Sequence, residues 1–533
     1  MKSGIELIDG AEVHGERTAL ISRGERFTYR DLLEASARVA RSLLSGLQSL
    51  DLGEERVAFM IPGSFEYVAV QWGVWRAGGM AVPLNTGSAD PEIRFVLENA
   101  EVGVVVATGE FQERMRALCA SLDLPLLSVE GVLGGWQKNG EKDPHGGDPG
   151  NVEAEAGVPG VGPVSGEMAG PPLPLVAPHR AAMMLYTSGT TSRPKGVVST
   201  HANIRAQILA LVEAWGWEPE DRIPLFLPLH HIHGIVNVLS CALWSGATVE
   251  TFRVFDLDGI LERVGEGDYT VFMAVPTIYV KLIGALEGAS DEERNRWARG
   301  FRDMRLMISG SAALPASIHE TWTSLTGQKL LERYGMTEIG MGLSNPLHGE
   351  RRPGAVGRPL PGVELRLVAE DGGVIPGEGH PGEIQVRGPA VFSEYWKRPQ
   401  ATAEAFTGDG WFRTGDMAVL EDGYYRILGR LSVDIIKSGG EKLSALEIED
   451  VLREHPDVRE VAVVGVADET WGEAVAAAVV TKGGEEMEVD ALREWARDRM
   501  AAAKLPRALR VVDDFPRNAM GKVMKPAVRE LFS

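Results

Sequence analysis

The chain has 533 residues, 44% of them hydrophobic and 24% charged, and a formal net charge of −21 at pH 7. This length exceeds one ordinary core and predicts two or more domains, while the acidic charge argues against nucleic acid and anionic lipid as partners. No apolar run approaches the roughly 20 residues that span a bilayer, and the two cysteines, Cys119 and Cys241, favour a reducing compartment. Because no targeting signal is recognisable, we expect a cytoplasmic protein. An acidic surface repels anionic ligands, so we also expect the sites for such ligands to carry local cations.

Strand-like and helix-like segments alternate through the N-terminal part of the chain. Residues 57–61 have the composition of a buried strand, 65–77 that of a helix, and 80–84 that of a second strand. A strand–helix–strand order favours a parallel sheet with covering helices. The same alternation returns at 103–107, 270–275 and 306–308. We therefore predict an α/β fold.

The composition changes at residues 134–178, where glycine, proline and acidic residues dominate and no hydrophobic period is visible. Such a segment buries too little apolar surface to order itself. It predicts a mobile surface insertion.

A second change near Arg430 predicts a domain boundary. Short strand-like segments precede it, at 363–368, 382–386 and 423–428. The pattern after it predicts a helix at 444–454, strands at 461–466 and 474–480, and a helix at 489–502. We expect a large N-terminal domain of parallel or mixed sheets covered by helices, 1–430, and a small mobile α+β domain, 431–533.

Residues 187–196 carry the strongest signal for chemistry, with five hydroxylated side chains, two glycines and Lys195. Hydroxyl and backbone N–H donors in such a loop can surround a triphosphate. It is not a P-loop, because Gly196 stands where that motif has Ser or Thr. An ordinary polar turn is the alternative. The segment resembles the phosphate loop of the adenylate-forming enzymes, a superfamily of acyl-CoA synthetases, luciferases and peptide-synthetase adenylation domains. This resemblance implies ATP contacts from Thr187, Ser188, Gly189, Thr190, Thr191 and Lys195, with a catalytic role for Thr190.

Four further segments match that family in its order along the chain: 332–338, 411–416, 423–442 and 516–523. The resemblance implies that Tyr334 stacks on adenine, that Asp416 binds the ribose hydroxyls and that Glu338 holds Mg²⁺. The ATP-binding residues that it implies outside the phosphate loop are Ser311, Tyr334, Gly335, Thr337, Asp416 and Arg430.

The C-terminal segments imply the remaining parts of the machinery. Lys522 would bridge an acyl oxygen and an α-phosphate oxygen, and Lys437, Gly439 and Gly440 would contact CoA. Ser432 would be the hinge. Two positions depart from the family pattern: Ser192 replaces a usual glycine of the phosphate loop, and Ser432 is uncharged where many relatives place a charged residue.

The family chemistry has two half-reactions. A carboxylate attacks the α-phosphorus of ATP and pyrophosphate leaves with Mg²⁺ held at Glu338. The C-terminal domain then rotates, withdraws Lys522 and admits CoA, whose thiol attacks the acyl-adenylate.

Two cations near the expected acyl pocket suggest which acid is used. Lys281 follows a strand–turn into that pocket, Arg333 precedes Tyr334, and Ser309 lies between them in sequence. Together they suit an acid with a second carboxylate at its far end, so the chain resembles the malonyl-CoA synthetases of the superfamily. The hypothesis has Lys281, Arg333 and Ser309 binding the distal carboxylate, with His231 and His233 in the pocket wall.

Malonate is thus the predicted acid, and methylmalonate a second substrate because one methyl discriminates weakly. Three alternatives stay open: a synthetase for another small or medium-chain acid, an adenylation domain that loads a carrier protein, and a non-catalytic ATP or acyl sensor. The sequence leaves the oligomeric state open.

Overall fold

The computed structural model describes residues 2–136, 138, 172–187, 194–439, 441–468, 470–517 and 523–532. These residues form a mixed α/β fold, as the sequence predicts, with several sheets and covering helices. The strands of this part of the chain are β1 (Thr18–Ser22), β2 (Glu25–Thr28), β3 (Arg56–Met60), β4 (Met80–Pro83), β5 (Val104–Ala107), β6 (Leu126–Ser128), β7 (Ala181–Thr187), β8 (Lys195–Thr200), β9 (Arg222–Leu225), β10 (Thr248–Thr251), β11 (Val271–Ala274), β12 (Leu306–Ser309), β13 (Leu331–Met336), β14 (Gly340–Ser344), β15 (Arg358–Pro359), β16 (Glu364–Val368), β17 (Gly382–Arg387), β18 (Glu394–Tyr395), β19 (Phe412–Glu421), β20 (Tyr424–Arg430), β21 (Ile435–Ser438), β22 (Glu441–Ser444), β23 (Val458–Asp468), β24 (Gly472–Thr481) and β25 (Ala508–Val511).

The α-helices cover these sheets. They are α1 (Glu6–Ala11), α2 (Tyr29–Gly46), α3 (Phe65–Arg76), α4 (Asp90–Asn99), α5 (Gly109–Ser121), α6 (Val129–Leu133), α7 (His201–Trp215), α8 (Cys241–Ser245), α9 (Leu257–Gly265), α10 (Pro276–Gly288), α11 (Asp291–Asp303), α12 (Ala316–Thr326), α13 (Pro399–Ala405), α14 (Ala445–Arg453), α15 (Val489–Ala496) and α16 (Lys525–Glu530). Short 3₁₀ turns span Glu12–His14 and Ala502–Lys504, and a π-helix spans His233–Ser240. Among the described helices, none has the length and apolar character needed to cross a bilayer.

The sheets follow the predicted strand–helix–strand logic. β3 lies between β4 and β5 with parallel pairing to both, in the order β18-β8-β7-β4-β3-β5-β6. The helix between β3 and β4, α3, is capped by Ser64, whose side chain accepts the Tyr67 N–H, and it is almost entirely buried. Its Trp75 indole donates to the Ala182 carbonyl of β7 at 2.7 Å. Burial on all sides explains why α3 carries apolar residues around its whole circumference.

Two sheets lead towards the functional site. The first has the order β11-β12-β13-β14-β15, and its first three strands are parallel. The second, β16-β17-β19-β20, is antiparallel. Parallel strands bring their carboxyl ends to one edge, so the residues that follow β12 and those of β13 lie side by side.

The predicted insertion at 134–178 has packed ends. Trp136 stacks on Phe65 with ring centroids 4.9 Å apart, and Val176 is buried and donates its N–H to the Ser3 carbonyl. Residues 139–171 lie outside the described residues, so the mobility of the insertion stays a prediction.

The C-terminal part forms its own sheet, β22-β21-β24-β23, with β25 parallel to β24. The predicted boundary after Arg430 falls between β20 and β21, which belong to different sheets. The predicted helix at 489–502 is wrong in extent, because α15 ends at Ala496. The chain turns there so that Ala508 can pair with Ala476.

Candidate active site

The predicted phosphate loop is flanked by the antiparallel strands β7 and β8, which pair Thr187 with Lys195. The predicted loop residues Ser188, Gly189, Thr190, Thr191 and Ser192 lie outside the described residues. The Lys195 ammonium lies 4.7 Å from the ring centroid of Tyr395. The base of the loop is therefore fixed to an aromatic ring of β18.

Glu338 is a buried carboxylate in the turn between β13 and β14. The Tyr395 hydroxyl donates to its Oε1 at 3.0 Å. Burial raises the pKa of Glu338, although the hydrogen bond from Tyr395 and the charges of Arg430 and Lys195 act in the opposite direction. A further cation beside this carboxylate would favour its ionised form.

Tyr334, Asp416 and Arg430 form one hydrogen-bonded group. The Tyr334 hydroxyl donates to Asp416 Oδ2 at 2.6 Å, and Arg430 Nε donates to Asp416 Oδ1 at 3.0 Å. Asp416 and Arg430 are direct partners in the pairing of β19 with β20. Burial, followed by the charge of Asp416, raises the pKa of Tyr334 well above its usual value. The hydroxyl therefore stays protonated and donates.

Gly335 and Thr337 continue the same segment. Gly335 lies in β13, where an added Cβ would be 2.2 Å from the Gly340 carbonyl oxygen of β14. Only glycine permits this close approach of the two strands. Thr337 is half-buried in the turn that leads to Glu338.

Arg333 is buried next to the loop that follows β12. Its Nη2 donates to the Ser311 hydroxyl at 3.3 Å, and the same hydroxyl lies 3.0 Å from His233 Nδ1. The side chain rests on Gly310, where an added Cβ would be 2.5 Å from Arg333 Nε. Within the described residues Arg333 has no ion pair, and its Nε and the buried Ser309 hydroxyl have no hydrogen-bond partner. Burial lowers the pKa of Arg333 to about 9.

Two features around Ser311 mark this loop as unusual. Ser311 has φ of 70°, a left-handed conformation that costs a non-glycine residue about 1–2 kcal/mol. His233 begins the π-helix His233–Ser240, and π-helical turns occur frequently at functional sites. Strain that the surrounding structure maintains is itself a pointer to function.

The remaining residues of the predicted acid pocket are less closely held. His231 is half-buried, and its ring centroid lies 4.1 Å from that of His230. Lys281 is exposed on α10 and has no hydrogen bond or ion pair with any residue that the structure describes. It takes no part in the contacts around Arg333, so its role in acid binding stays a prediction.

The predicted CoA loop and hinge lie in and before β21. Lys437 is exposed and its Nζ lies 3.9 Å from Glu370 Oε1. The Gly439 N–H donates to the Trp471 carbonyl at 2.9 Å, while Gly440 lies outside the described residues. Ser432 is exposed in the turn between β20 and β21. Lys522 also lies outside the described residues.

Two family models match the chain. Residues 8–396 match the AMP-binding enzyme family, and residues 447–522 match the AMP-binding enzyme C-terminal domain. The chain belongs to the AMP-binding enzyme family. It is thus an AMP-binding enzyme of the kind that the five motifs predict.

Known proteins with similar sequence or structure cover nearly the whole chain. The mitochondrial malonate–CoA ligase of Xenopus laevis is 42% identical over 548 residues, covering 98% of this chain and 91% of its own. ATP-bound MatB from Rhodopseudomonas palustris has a TM-score of 0.85 at 32% identity and covers 99% of both chains. Apo MatB from the same organism has a TM-score of 0.76 at 32% identity and covers 100% of this chain and 99% of its own. This AMP-binding enzyme superposes more closely on the ATP-bound form.

The sequence reasoning missed Tyr395. It joins the site from β18, 57 residues after Glu338, and neighbours no recognised motif. A single aromatic residue gives no sequence signal for a contact made across two sheets. The link from Ser311 to both His233 and Arg333 was also missed, because the three residues come from separate elements.

Proposed function

We propose that this AMP-binding enzyme is a malonate–CoA ligase. Malonate and ATP would form malonyl-adenylate and pyrophosphate, and CoA would then displace AMP to give malonyl-CoA. The observation that carries the proposal is Arg333, a buried arginine without an anionic partner in the described part of the chain. Full-length similarity to a protein named as a malonate–CoA ligase supports it.

Arg333 favours an anionic ligand for an electrostatic reason. A buried charge is costly unless an opposite charge and hydrogen bonds compensate it. A carboxylate at Arg333 could accept from its free Nε and from the Ser309 hydroxyl, which has no partner in the described structure. An acid with one carboxylate, used for adenylation, leaves both groups unsatisfied. An acid with a second carboxylate satisfies them.

Lys281 and the two histidines extend this pocket in the proposal. Lys281 would supply a second cation from α10, and His231 and His233 would form the polar wall. Of these, His233 is tied to Arg333 through the Ser311 hydroxyl. Methylmalonate remains the expected second substrate, because one methyl group discriminates by about 1–3 kcal/mol at most.

The nucleotide would occupy the space between the phosphate loop and β20. Tyr334 would stack on adenine, and Asp416, already fixed by Tyr334 and Arg430, would accept from the ribose hydroxyls. Ser311, Gly335 and Thr337 would line this region. Lys195 would face the phosphates at the base of the loop 188–193, where Thr190 is the predicted catalytic hydroxyl.

Mg²⁺ enters this scheme as part of the MgATP substrate. It is usually bound by one or two carboxylates together with phosphate oxygens. The Glu338 carboxylate suits that role. Burial raises its pKa when no further cation is bound, so a bound Mg²⁺ would favour its charged form. Thr190 and Glu338 would thus stabilise the leaving pyrophosphate.

The two half-reactions place different demands on the C-terminal part. Adenylation brings an anion to a polyanion, so Lys522 would offset the charge that develops between acid and α-phosphate. In the second half-reaction Lys437, Gly439 and Gly440 would approach the CoA arm after rotation about Ser432. A small mobile domain, 431–533, is part of this proposal.

The decisive experiment is pyrophosphate release with MgATP and CoA, compared across malonate, methylmalonate, succinate, acetate and octanoate. We expect malonate to lead the monoacids by at least about 100-fold in kcat/KM, since an unpaired buried cation costs several kcal/mol. A leading monoacid would keep the ligase chemistry and remove the role given to Arg333. No release with any acid would favour a sensor.

Two further measurements close the remaining alternatives. Comparing CoA with a carrier protein as acceptor separates a CoA ligase from a carrier-loading adenylation domain. A cytoplasmic location belongs to the proposal as well; because the relative from Xenopus laevis is mitochondrial by name, subcellular fractionation is the test.

A further inference from the structure

Lys525 is a buried cation that has no role in the proposed function. It begins α16, three residues after Lys522. Its Nζ lies 2.6 Å from Asp434 Oδ1 and 2.7 Å from Glu449 Oε1. The exposed fractions of the three side chains are only 11%, 17% and 8%, so solvent screens these contacts little.

The two carboxylates belong to separate elements and each has a second contact. Asp434 lies in the turn between β20 and β21, and its Oδ2 accepts the Arg430 N–H at 3.0 Å. Glu449 lies on α14 and its Oε1 accepts the Val463 N–H of β23 at 2.7 Å. Lys525 therefore joins α16 at once to α14 and to the turn that follows Arg430.

The Lys525 side chain stays protonated between these two carboxylates. Burial alone would lower its pKa, but the attraction of Glu449 and Asp434 is stronger and raises it above the usual value. A buried ion triad of this kind is weak evidence for stability, because apolar side chains of similar volume often stabilise a core as well or better. The position of the triad therefore needs another explanation.

Lys525, a member of the triad, lies three residues after Lys522 in the sequence. The ends of the segment 518–522, which carries Lys522, are held together by the bridge of Arg517 with Val523 and by the Met524 N–H, which donates to the Pro516 carbonyl at 2.8 Å. Lys525 follows at once. The contact with Asp434 thus connects the chain at Lys525, three residues after Lys522, to the turn of Arg430, a residue that already binds Asp416.

We propose that Lys525 is a positioning residue for adenylation: with Asp434 and Glu449 it fixes the chain next to Lys522 to the turn that carries Arg430. This rests on the proposed function, in which Lys522 acts in the first half-reaction and is withdrawn in the second. Lys525 itself touches no substrate.

The two half-reactions, measured separately, test this role. Acid-dependent ATP–pyrophosphate exchange reports adenylation, and thioester formation from chemically prepared malonyl-adenylate reports the CoA step. For Lys525→Met we expect exchange kcat to fall by about 30- to 100-fold, because a displacement near 1 Å can cost that much. The CoA step should change less than about threefold, and Lys525→Arg should restore part of the exchange.

Two other variants guard against a simple loss of folding. Asp434→Asn keeps an acceptor for the Arg430 N–H and leaves the Lys525–Glu449 pair, so it should fold and still lose exchange selectively. Lys504→Met is the matched control, since Lys504 also pairs with a glutamate of α14, Glu447, at 2.8 Å. It should affect both half-reactions equally and slightly.

Parallel losses of both half-reactions in Lys525→Met, or normal exchange in Asp434→Asn, would overturn the positioning role. Failure of the proposed function is a separate outcome. A wild-type enzyme that exchanges only with a monoacid would refute malonate as the substrate, and the variants would then be compared on that monoacid.

Discussion

At the scale of single residues, the proposed choice of acid rests on Arg333. Its guanidinium is buried, shares one hydroxyl with His233 and keeps Nε without a hydrogen-bond partner among the described residues. A surface arginine would cost little to leave unpaired. A buried one makes the site depend on an anionic ligand.

Arg333→Met should therefore remove acid selectivity. We expect kcat/KM for malonate to fall by about 10- to 100-fold, the equivalent of a lost charge-assisted hydrogen bond of about 1.5–3 kcal/mol. The kcat/KM for acetate should stay the same or rise, because in the variant the binding of acetate no longer leaves a buried cation without an anionic partner. Pyrophosphate release with the two acids measures the ratio.

Arg333 also predicts that kcat/KM for malonate depends on pH. With the pKa of Arg333 at about 9, the protonated fraction in the free enzyme falls as pH rises through 9, and kcat/KM for malonate should fall with it. Bound malonate favours the charged form, so kcat should fall only at higher pH. The decline near pH 9 should be absent from Arg333→Met.

Arg351→Met is the matched control. Arg351 also has a pKa lowered by burial, but its three nitrogens donate to the carbonyls of Lys329, Pro346 and Leu347. Its loss should lower stability and leave the malonate-to-acetate ratio unchanged. An equal change of that ratio in both variants would contradict the role of Arg333.

The sequence motifs selected residues that the structure brings together, although their roles in binding the nucleotide stay predictions. Tyr334, Asp416 and Arg430 stand in recognisable segments, and the structure brings them into one hydrogen-bonded group. Tyr395 and Asp434 were not found, because their contacts depend on the packing of β18 and α16 against distant residues. Sequence spacing carries no information about such contacts.

At the scale of elements, the loop after β12 stores strain beside the site. Ser311 has φ of 70°, where glycine would be the unstrained choice. The serine hydroxyl is in use, since it accepts from Arg333 Nη2 and contacts His233 Nδ1. Function and backbone preference thus conflict at this position.

A pair of substitutions separates the two effects. Ser311→Gly and Ser311→Ala both remove the hydroxyl, so each should lower kcat/KM for malonate by about 3- to 10-fold. Only glycine relieves the left-handed backbone, so the free energy of unfolding of Ser311→Gly should exceed that of Ser311→Ala by about 1 kcal/mol. Thermal and chemical denaturation of the two variants measure the difference. Equal stabilities would show that the strain is absent.

Element prediction succeeded where hydrophobic period and length agreed. The segments at 57–61, 65–77 and 80–84 correspond to β3, α3 and β4. The helix predicted to reach 502 ends at Ala496, because pairing of β25 with β24 turns the chain. A helical pattern in the sequence cannot register a competing tertiary contact of this kind.

At the scale of the whole molecule, charge links the two predicted domains. Glu370 follows β16, and its Oε1 lies 2.7 Å from Lys442 Nζ and 3.9 Å from Lys437 Nζ. Arg426 of β20 pairs with Glu447 of α14 across the same boundary. These contacts belong to an arrangement that superposes more closely on ATP-bound MatB than on apo MatB, and we expect them to break in the proposed rotation that admits CoA.

Glu370→Gln should therefore favour the CoA step. Lys437, the predicted CoA contact, would be released, and KM for CoA should fall by about two- to threefold, a small effect because the pair is exposed. ATP–pyrophosphate exchange should not change. Steady-state kinetics at low and high salt measure KM for CoA, and the difference between Glu370→Gln and the wild type should vanish as salt screens the pair.

Glu364→Gln is the control, because Glu364 pairs with Arg387 inside one sheet, and the proposed rotation leaves that contact intact. If Glu364→Gln lowered KM for CoA as much as Glu370→Gln, the effect would come from the general loss of negative charge on a protein of net charge −21, and the link between Glu370 and rotation would be refuted.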